Sequence, residues 1–358
     1  VQEDGNQVNA IRVRPRDTAA PAPPKRSLRR RRLIGLAALG AALLVALLGS
    51  IAIGTKVIPP GEVFSALFAP TGTENDLVIR SLRIPRTLLG VLVGIALGLA
   101  GALAQGFTRN PLADPGLLGI NAGAAFFVVC GIYLFGVTSL FGYVWFAFAG
   151  ALVASVAVFV IGTRATGGAT PVSLALAGAA VSFLLQALTS SIVLLDETSL
   201  DAYRFWVVGS LAGRDADVAG QVVWFIVVGT VLALASAPAL NALSLGDDVA
   251  TSLGHSVRRT RLVGVVAITL LAGAATAACG PITFLGLIVP HVVRAFTGPD
   301  HRWLLPASGL AGAVLLLVAD VVGRVVVRPG ELQVGIVVAL IGGPFFIALV
   351  RRKKLGAV

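Results

Sequence analysis

The clearest ionisable pair inside an apolar run is Asp320 and Arg324, in the stretch Leu315-Leu316-Leu317-Val318-Ala319-Asp320-Val321-Val322-Gly323-Arg324. Four residues apart, they share a helix face with the acid on the N-terminal side, the favourable order for an ion pair. A proton- or sodium-driven carrier needs a relay of intramembrane carboxylates, and one paired acid is not a relay. A structural ion pair near a helix end and a functional charge both fit this stretch. A second cluster is Leu82-Arg83-Ile84-Pro85-Arg86-Thr87. Pro85 suits the first turn of a helix, where its missing N–H is not needed. Arg83 and Arg86, three apart, can present neighbouring guanidinium groups. Such groups can take carboxylates of an external partner in bidentate fashion, or anchor the helix at lipid headgroups.

Two further stretches mark turns. In Gln105-Gly-Phe-Thr-Arg109-Asn110-Pro111-Leu112-Ala113-Asp114-Pro115-Gly116-Leu117-Leu118-Gly119, two prolines four apart end one helix and start another. Asn110 and Asp114 can each bond local backbone N–H groups there, which makes either a rigid turn or a gate at a pore mouth. The loop Leu243-Ser-Leu245-Gly246-Asp247-Asp248-Val-Ala250-Thr-Ser-Leu253-Gly254 begins with acids suited to a helix N-terminus and closes on a glycine suited to its end. It is either a short connector or a helix offered to a separate motor subunit.

No engine accompanies these residues. The nearest approach to a phosphate loop, Gly162-Thr-Arg-Ala-Thr-Gly167-Gly168-Ala169, has Gly168 and Ala169 where a P-loop needs Lys and Ser/Thr. Two cysteines (Cys130, Cys279) and three histidines offer no metal-ligand spacing. No catalytic residue or metal ligand is expected.

The elements that position these residues are membrane helices. Of 358 residues, 56% are hydrophobic and 13% charged, with a mean hydropathy of +0.91, against about 25% charged in soluble domains. Apolar runs near 33–54, 87–107, 118–136, 141–162, 171–195, 219–240, 261–279, 282–296, 303–323 and 335–350 predict about ten spans. The net charge of +11 resides mostly in the ends. Residues 1–32 carry nine Lys/Arg against three acids, and Arg351-Arg352-Lys353-Lys354 adds four more, leaving fifteen basic and fourteen acidic residues between. A nucleic-acid binder is therefore excluded as the main reading. The reading is an all-α polytopic membrane protein: a disordered basic cytoplasmic tail over 1–32, a ten-helix domain over 33–350, and a basic cytoplasmic end over 351–358. Basic tails place both termini in the cytoplasm by the positive-inside rule. Arg83, Arg86 and Arg324 then lie on the outer side, against that rule, and need a reason. Gly90, Gly94, Gly98 and Gly101 form a small-residue stripe for close helix packing.

Together these stretches resemble the FecCD-type permease subunits of ABC importers for ferric siderophores, haem and vitamin B12. The resemblance covers about 55–350. It rests on Arg-Ile-Pro-Arg at 83–86, Asn-Pro-Leu-Ala-Asp-Pro-Gly-Leu-Leu-Gly at 110–119, Leu-Gly-Asp at 245–247, Gly280-Pro-Ile-Thr-Phe-Leu-Gly-Leu-Ile-Val-Pro-His291 and Gly330-Glu-Leu-Gln-Val-Gly335. It implies a type II importer architecture: two permeases, identical or paralogous, around a central path, two ATPase subunits below that bind ATP and Mg, and an extracytoplasmic substrate-binding protein above. It maps binding-protein docking onto Arg83, Arg86 and Arg324, with Asp320 orienting Arg324. The cytoplasmic gate maps onto Asn110 and Leu112, with a second gate near 163–170. ATPase coupling maps onto 243–259, with Leu245, Gly246, Asp247, Ala250, Leu253 and Gly254. The chain itself would hold no cofactor and hydrolyse no ATP. Its other contacts would be membrane lipids of the cytoplasmic membrane. Ferric siderophores are the expected cargo and vitamin B12 or haem the alternative. An ion-coupled secondary carrier is disfavoured by the missing carboxylate relay.

Overall fold

A computed structural model of the chain describes residues 25–70, 72–137, 139–164 and 170–351, and the regular elements among them are all helical. In a bilayer every backbone polar group must be satisfied within its own segment, so the apolar runs become helices. α1 (Lys25–Ala52) is followed by two short helices, α2 (Pro60–Phe68) and α3 (Glu74–Leu77). A π-helical turn, Val78–Arg83, leads into α4 (Ile84–Thr108). After a 3₁₀ turn at Pro115–Leu118 come α5 (Ile120–Phe135), α6 (Leu140–Arg164), α7 (Pro171–Leu195) and the short α8 (Glu197–Trp206). The rest are α9 (Ala216–Ala235), α10 (Ala237–Leu243), α11 (Asp247–Ser252), α12 (Val257–Cys279), α13 (Leu285–Thr297), α14 (His301–Val326) and α15 (Val334–Arg351).

Among the described residues, eight helical stretches are long and apolar enough to cross a membrane, and α5 and α13 are shorter apolar helices. These ten coincide with the ten expected spans. The boundaries differ in two instructive places. Residues 25–32, expected in the disordered tail, are the first turns of α1. Arg31 donates to the Ala295 carbonyl at 2.9 Å, Arg32 donates to the Thr297 carbonyl at 2.8 Å, and Arg32 lies over the Trp303 ring. Basic residues there anchor a helix against the α13–α14 junction. Second, the expected span 219–240 breaks at Ser236, because Pro238 at the start of α10 cannot continue the hydrogen-bond ladder of α9. Residues 1–24, 352–358 and 165–169, the centre of the glycine-rich loop, lie outside the described residues.

α4 is the hub. It packs against α14, α12, α13 and α9, and most of its apolar window is buried. The glycine stripe is the reason. A Cβ on Gly98 would stand 2.2 Å from the Ser308 carbonyl oxygen of α14, and one on Gly101 would stand 2.0 Å from that of Gly286 in α13. Only residues without side chains permit such backbone approach, and association in lipid depends on this fit. By contrast α1 and α7 bury little of their apolar windows within the chain. They form the rim.

Candidate functional site

The functional residues gather at the two ends of this bundle. At the first end, α1 terminates and its last carbonyls have no intrahelical partners. Three arginines from distant segments take them. Arg83 donates to the Ile51, Ala52 and Lys56 carbonyls at 2.9, 2.7 and 2.6 Å. Arg324 donates to those of Ser50 and Ile53 at 2.8 and 3.0 Å, and Arg328 to that of Gly54 at 2.7 Å. Arg80 does the same for α2, donating to the Ala66 carbonyl at 2.7 Å. A helix C-terminus carries partial negative charge, so cations are favoured there. This supplies the reason for arginines retained at this end.

The reason differs from the one expected for two of them. Arg83 is 5% exposed and Arg324 2%. Both guanidinium groups bond carbonyls at the end of α1, and Arg324 also bonds Asp320, so the folded chain gives these two arginines a structural role whether or not they also meet an external carboxylate. The expected pair between Asp320 and Arg324 is present, at 2.6 Å and fully buried. It belongs to a larger network. Arg86 donates through Nε and Nη2 to the same carboxylate, at 2.7 Å for the shortest contact, and through Nη1 to Glu331 at 2.8 Å. Ser50 Oγ accepts from Arg324 Nη2 at 2.8 Å and donates to Thr87 Oγ1, which donates to the Arg83 carbonyl. Charges on α4, α14 and the loop before α15 thus meet around one buried acid.

Beside this network lies a cavity of about 220 Å³, lined by Lys56, Arg83, Arg86, Arg214, Arg324 and Glu331 among others. The three predicted docking arginines do converge on it, Arg86 with the most exposure, its side chain at 14%. Arg214 was not singled out by its sequence context. It sits in the loop after α8, its Nε buried and without a hydrogen-bond partner, and burial pushes its pKa down. That loop is held by glycines. Gly209, at φ +76°, accepts through its carbonyl from the Gly335 N–H at 3.0 Å, and the Ser210 N–H donates to the Cys279 carbonyl at 2.8 Å. A Cβ on Gly280 would meet the Trp206 carbonyl oxygen at 2.1 Å.

At the opposite end, α4 closes on Arg109 in the left-handed region (φ 50°) and the predicted turn follows. Asn110 Oδ1 accepts from the Leu112 N–H at 2.9 Å, and Asp114 Oδ1 from the Gly116 N–H at 2.8 Å, as local side-chain chemistry dictates. Burial raises the pKa of Asp114, with the Gly116 N–H opposing. α11 stands at the same end. Gly246 (φ 117°) and Gly254 (φ 84°) bracket it, as residues without a Cβ must. Ala250 is fully buried against Ala242 and Leu243, with Phe107 of α4 packed on that cluster. Leu245, Val249 and Leu253 are exposed at 65%, 43% and 59%. Val249 and Leu253, four apart, share one face of α11, and Leu245, just before the helix, adds a third exposed apolar side chain.

One carboxylate joins this helix to the turn. Asp247 accepts from Arg109, the residue before Asn110, and from Arg261 of α12 at 2.7 Å. The sequence placed Asp247 at a helix start and Asn110 in a turn; that they communicate through Arg109 spans 138 residues and had no local signal.

Residues 42–352 match the FecCD transport family. The chain is 49% identical over 314 residues to the ferric enterobactin transport system permease protein FepD of Escherichia coli, covering 88% of this chain and 94% of that protein. It is 41% identical over 287 residues to the cobalamin import system permease protein BtuC of Halobacterium salinarum, covering 79% and 76%. Among solved structures, an inward-facing metal-chelate type ABC transporter superposes with a TM-score of 0.77 at 28% identity, covering 91% of this chain and 99% of that one.

Proposed function

The chain belongs to the FecCD transport family and is a multi-pass permease subunit of an ABC importer, and from that premise we propose that its cargo is a ferric siderophore. The identity of 49% to a ferric enterobactin permease, over nearly the full length of both chains, carries this reading above cobalamin at 41%. The end bearing the arginine network faces outward and the end bearing α11 faces the cytoplasm, both termini lying on the cytoplasmic side. The basic turns of α1 at Arg29–Arg32 support that orientation.

Two ATPase subunits dock below, one on the exposed apolar side chains of Leu245, Val249 and Leu253. A push on α11 travels through Asp247 to Arg109 and so to the gate turn at Asn110 and Leu112. ATP and Mg are held by those subunits, and this chain binds neither. A second permease, identical or paralogous, completes the path. An extracytoplasmic binding protein docks on the outer face, where an acidic side chain approaches the cavity rimmed by Arg86 and Lys56. Burial of Arg83 and Arg324 supports assigning them to the scaffold of that cavity rather than to the contact. Alternating access follows: docking and ATP-driven closure below expose the path in turn to each side.

The deciding experiment is uptake into proteoliposomes holding this permease with its ATPase, its permease partner and the binding protein. Ferric-siderophore uptake should require ATP hydrolysis. Uptake that persists with a hydrolysis-dead ATPase overturns the importer reading, and uptake of cobalamin instead of the ferric chelate overturns the cargo.

A further inference from the structure

At the end bearing α11, one corner of the bundle concentrates cations that neither α11 nor the gate turn uses. Arg29, Arg30, Arg31 and Arg32 lie near the start of α1, and Arg302 follows Asp300 at the start of α14. The fold brings these two segments together. Arg32 donates to the Thr297 carbonyl across 265 residues of chain, stands 3.6 Å from Asp300 and lies over the Trp303 ring. Arg31 donates through Nη2 to the Ala295 carbonyl at 2.9 Å. Both bonds take carbonyls at the end of α13, which lack intrahelical partners, and so fix α1 against the corner between α13 and α14. The positive-inside rule concerns how many basic residues flank a span; this assembly from distant segments is a property of the folded chain.

The corner is short of acid. Among the described residues, Asp300 is the one carboxylate paired with any of these five arginines. It also accepts from the Asn241 amide and the Arg302 backbone N–H. The side chains of Arg29, Arg30 and Arg302 are exposed and bond no group among the described residues. Each presents N–H donors in a planar fork that matches a phosphate. Next to them α1 turns an apolar stripe outward: Leu33, Ile34, Leu44, Val45 and Leu48 are exposed, and little of the apolar window of α1 is buried. Arg30 stands three and four residues before Leu33 and Ile34, on their face of the helix, and Arg29 stands three before Arg32, on the face toward the corner. Trp303 is half-buried between, and indole rings sit at headgroup level in membranes. Unopposed cations, an indole and an apolar stripe thus follow one another in the order of phosphate, interface and acyl chain.

We propose that this corner is a binding site for one anionic phospholipid. The phosphate oxygens accept from Arg29, Arg30 and Arg302, and Arg32 adds its charge while it stays bonded to Thr297. An acyl chain lies along the stripe that begins at Leu33 and Ile34. A zwitterionic lipid offers the same phosphate but carries a cation of its own, which the arginines repel. The site therefore selects by net charge.

The test uses the assembled transporter in nanodiscs of phosphatidylcholine with a minor fraction of phosphatidylglycerol. One lipid at a time carries a photoactivatable acyl chain, and cross-linked peptides are mapped. At equal probe content, phosphatidylglycerol should label α1 about tenfold more than phosphatidylcholine, and raised salt should reduce that preference. Arg302→Gln should lower it about fivefold, and Arg29→Gln combined with Arg30→Gln should bring the two lipids close to parity. These side chains bond nothing in the fold, so thermal unfolding of the variants should match the wild type. Equal labelling of wild-type α1 by the two lipids overturns the proposal, as does a preference that survives all three substitutions. No label on α1 from either lipid overturns it too, because another chain then covers that face. Variants that lose their ATPase subunits yet keep the lipid preference also overturn it, and assign the arginines to a protein contact.

Discussion

The arginine network and α11 are both clusters of opposite charges at helix ends, yet they are built on different terms. At the end where α1 closes, Asp320 is fully buried, and Arg83 and Arg324 are nearly so, with their guanidinium groups bonded to carboxylates or to carbonyls at the end of α1. At the other end Asp247 is 41% exposed and holds Arg109 and Arg261 with a single carboxylate. Desolvated charges are held by many partners and cannot move without leaving one unpaired. Exposed pairs contribute little to stability and can break and reform. The first arrangement fixes three helices as one body. The second joins the two elements to which we assign coupling and gating.

The sharpest way to break this contrast is to remove the buried acid. Asp320→Ala leaves Arg86 and Arg324 desolvated and uncompensated, and should destabilise the permease by about 3–5 kcal/mol. Little folded protein should be recovered from membranes, and thermal unfolding in detergent should report the loss. A variant as stable as the wild type would show that the network is solvated in the membrane and that the distinction between the ends is false.

Next in size is Arg83→Gln, which withdraws hydrogen bonds from Ile51, Ala52 and Lys56. A loss of about 2–3 kcal/mol is expected from carbonyls left without their charged donor. Binding-protein affinity should stay within about twofold in the folded fraction, since each factor of ten corresponds to 1.4 kcal/mol and no contact is removed. Arg86→Gln should instead weaken docking, increasingly at low salt. Equal docking losses in both variants would return Arg83 to the contact surface.

Asp247→Asn sits on the other side of the comparison. It should change stability by less than about 1 kcal/mol but lower uptake several-fold while ATP hydrolysis continues. Uptake and hydrolysis are measured together in proteoliposomes. If both fall in proportion, α11 is only a platform for the ATPase and Asp247 does not transmit.

What the sequence could and could not disclose follows the same division. The ten spans are legible because lipid forces hydropathy into contiguous runs. The turn at Asn110 and Asp114 is legible because an Asx side chain bonds a backbone N–H two residues on. The glycine stripe announces a tight helix pair, though not that its partners are α14 and α13. The direction of an arginine is different. The carbonyls that Arg83 takes lie 27–32 residues away, and the carbonyls that Arg324 takes lie 271–274 away, so no local pattern in the sequence discloses them. Glu331 pairs with Arg86 over 245 residues and passed unnoticed as part of a loop motif. Val249 lay between the named residues of α11 and adds to its exposed apolar side chains. Arg214, which lines the arginine cavity, stands in no motif of its own.

The smallest expected effect tests whether the contrast belongs to the two ends or to the degree of saturation. α8 lies at the same end as the arginine network, yet it is capped by one half-buried acid. Asp196 accepts from the Ser199 N–H at 2.7 Å as the N-cap of α8. The Ser199 side chain and backbone N–H hold its pKa below the usual carboxylate range. A depressed folded-state pKa means that the cap contributes stability above the unfolded value of about 3.9, and that this contribution fades as pH falls through the lower folded value. The probe is Trp206 at the end of α8, read in a variant whose other tryptophans, Trp145, Trp224 and Trp303, are phenylalanine. Its emission should shift toward that of a solvated indole below about pH 4, at a pH where the α4–α14 body remains folded. Asp196→Asn keeps a capping oxygen but cannot titrate, so it should remove the pH step and retain the helix. Asp196→Ala should show the shifted emission at every pH. A pH step that survives in Asp196→Asn would place the titrating group elsewhere, and α8 would then join the rigid outer body rather than the elements that a single carboxylate holds.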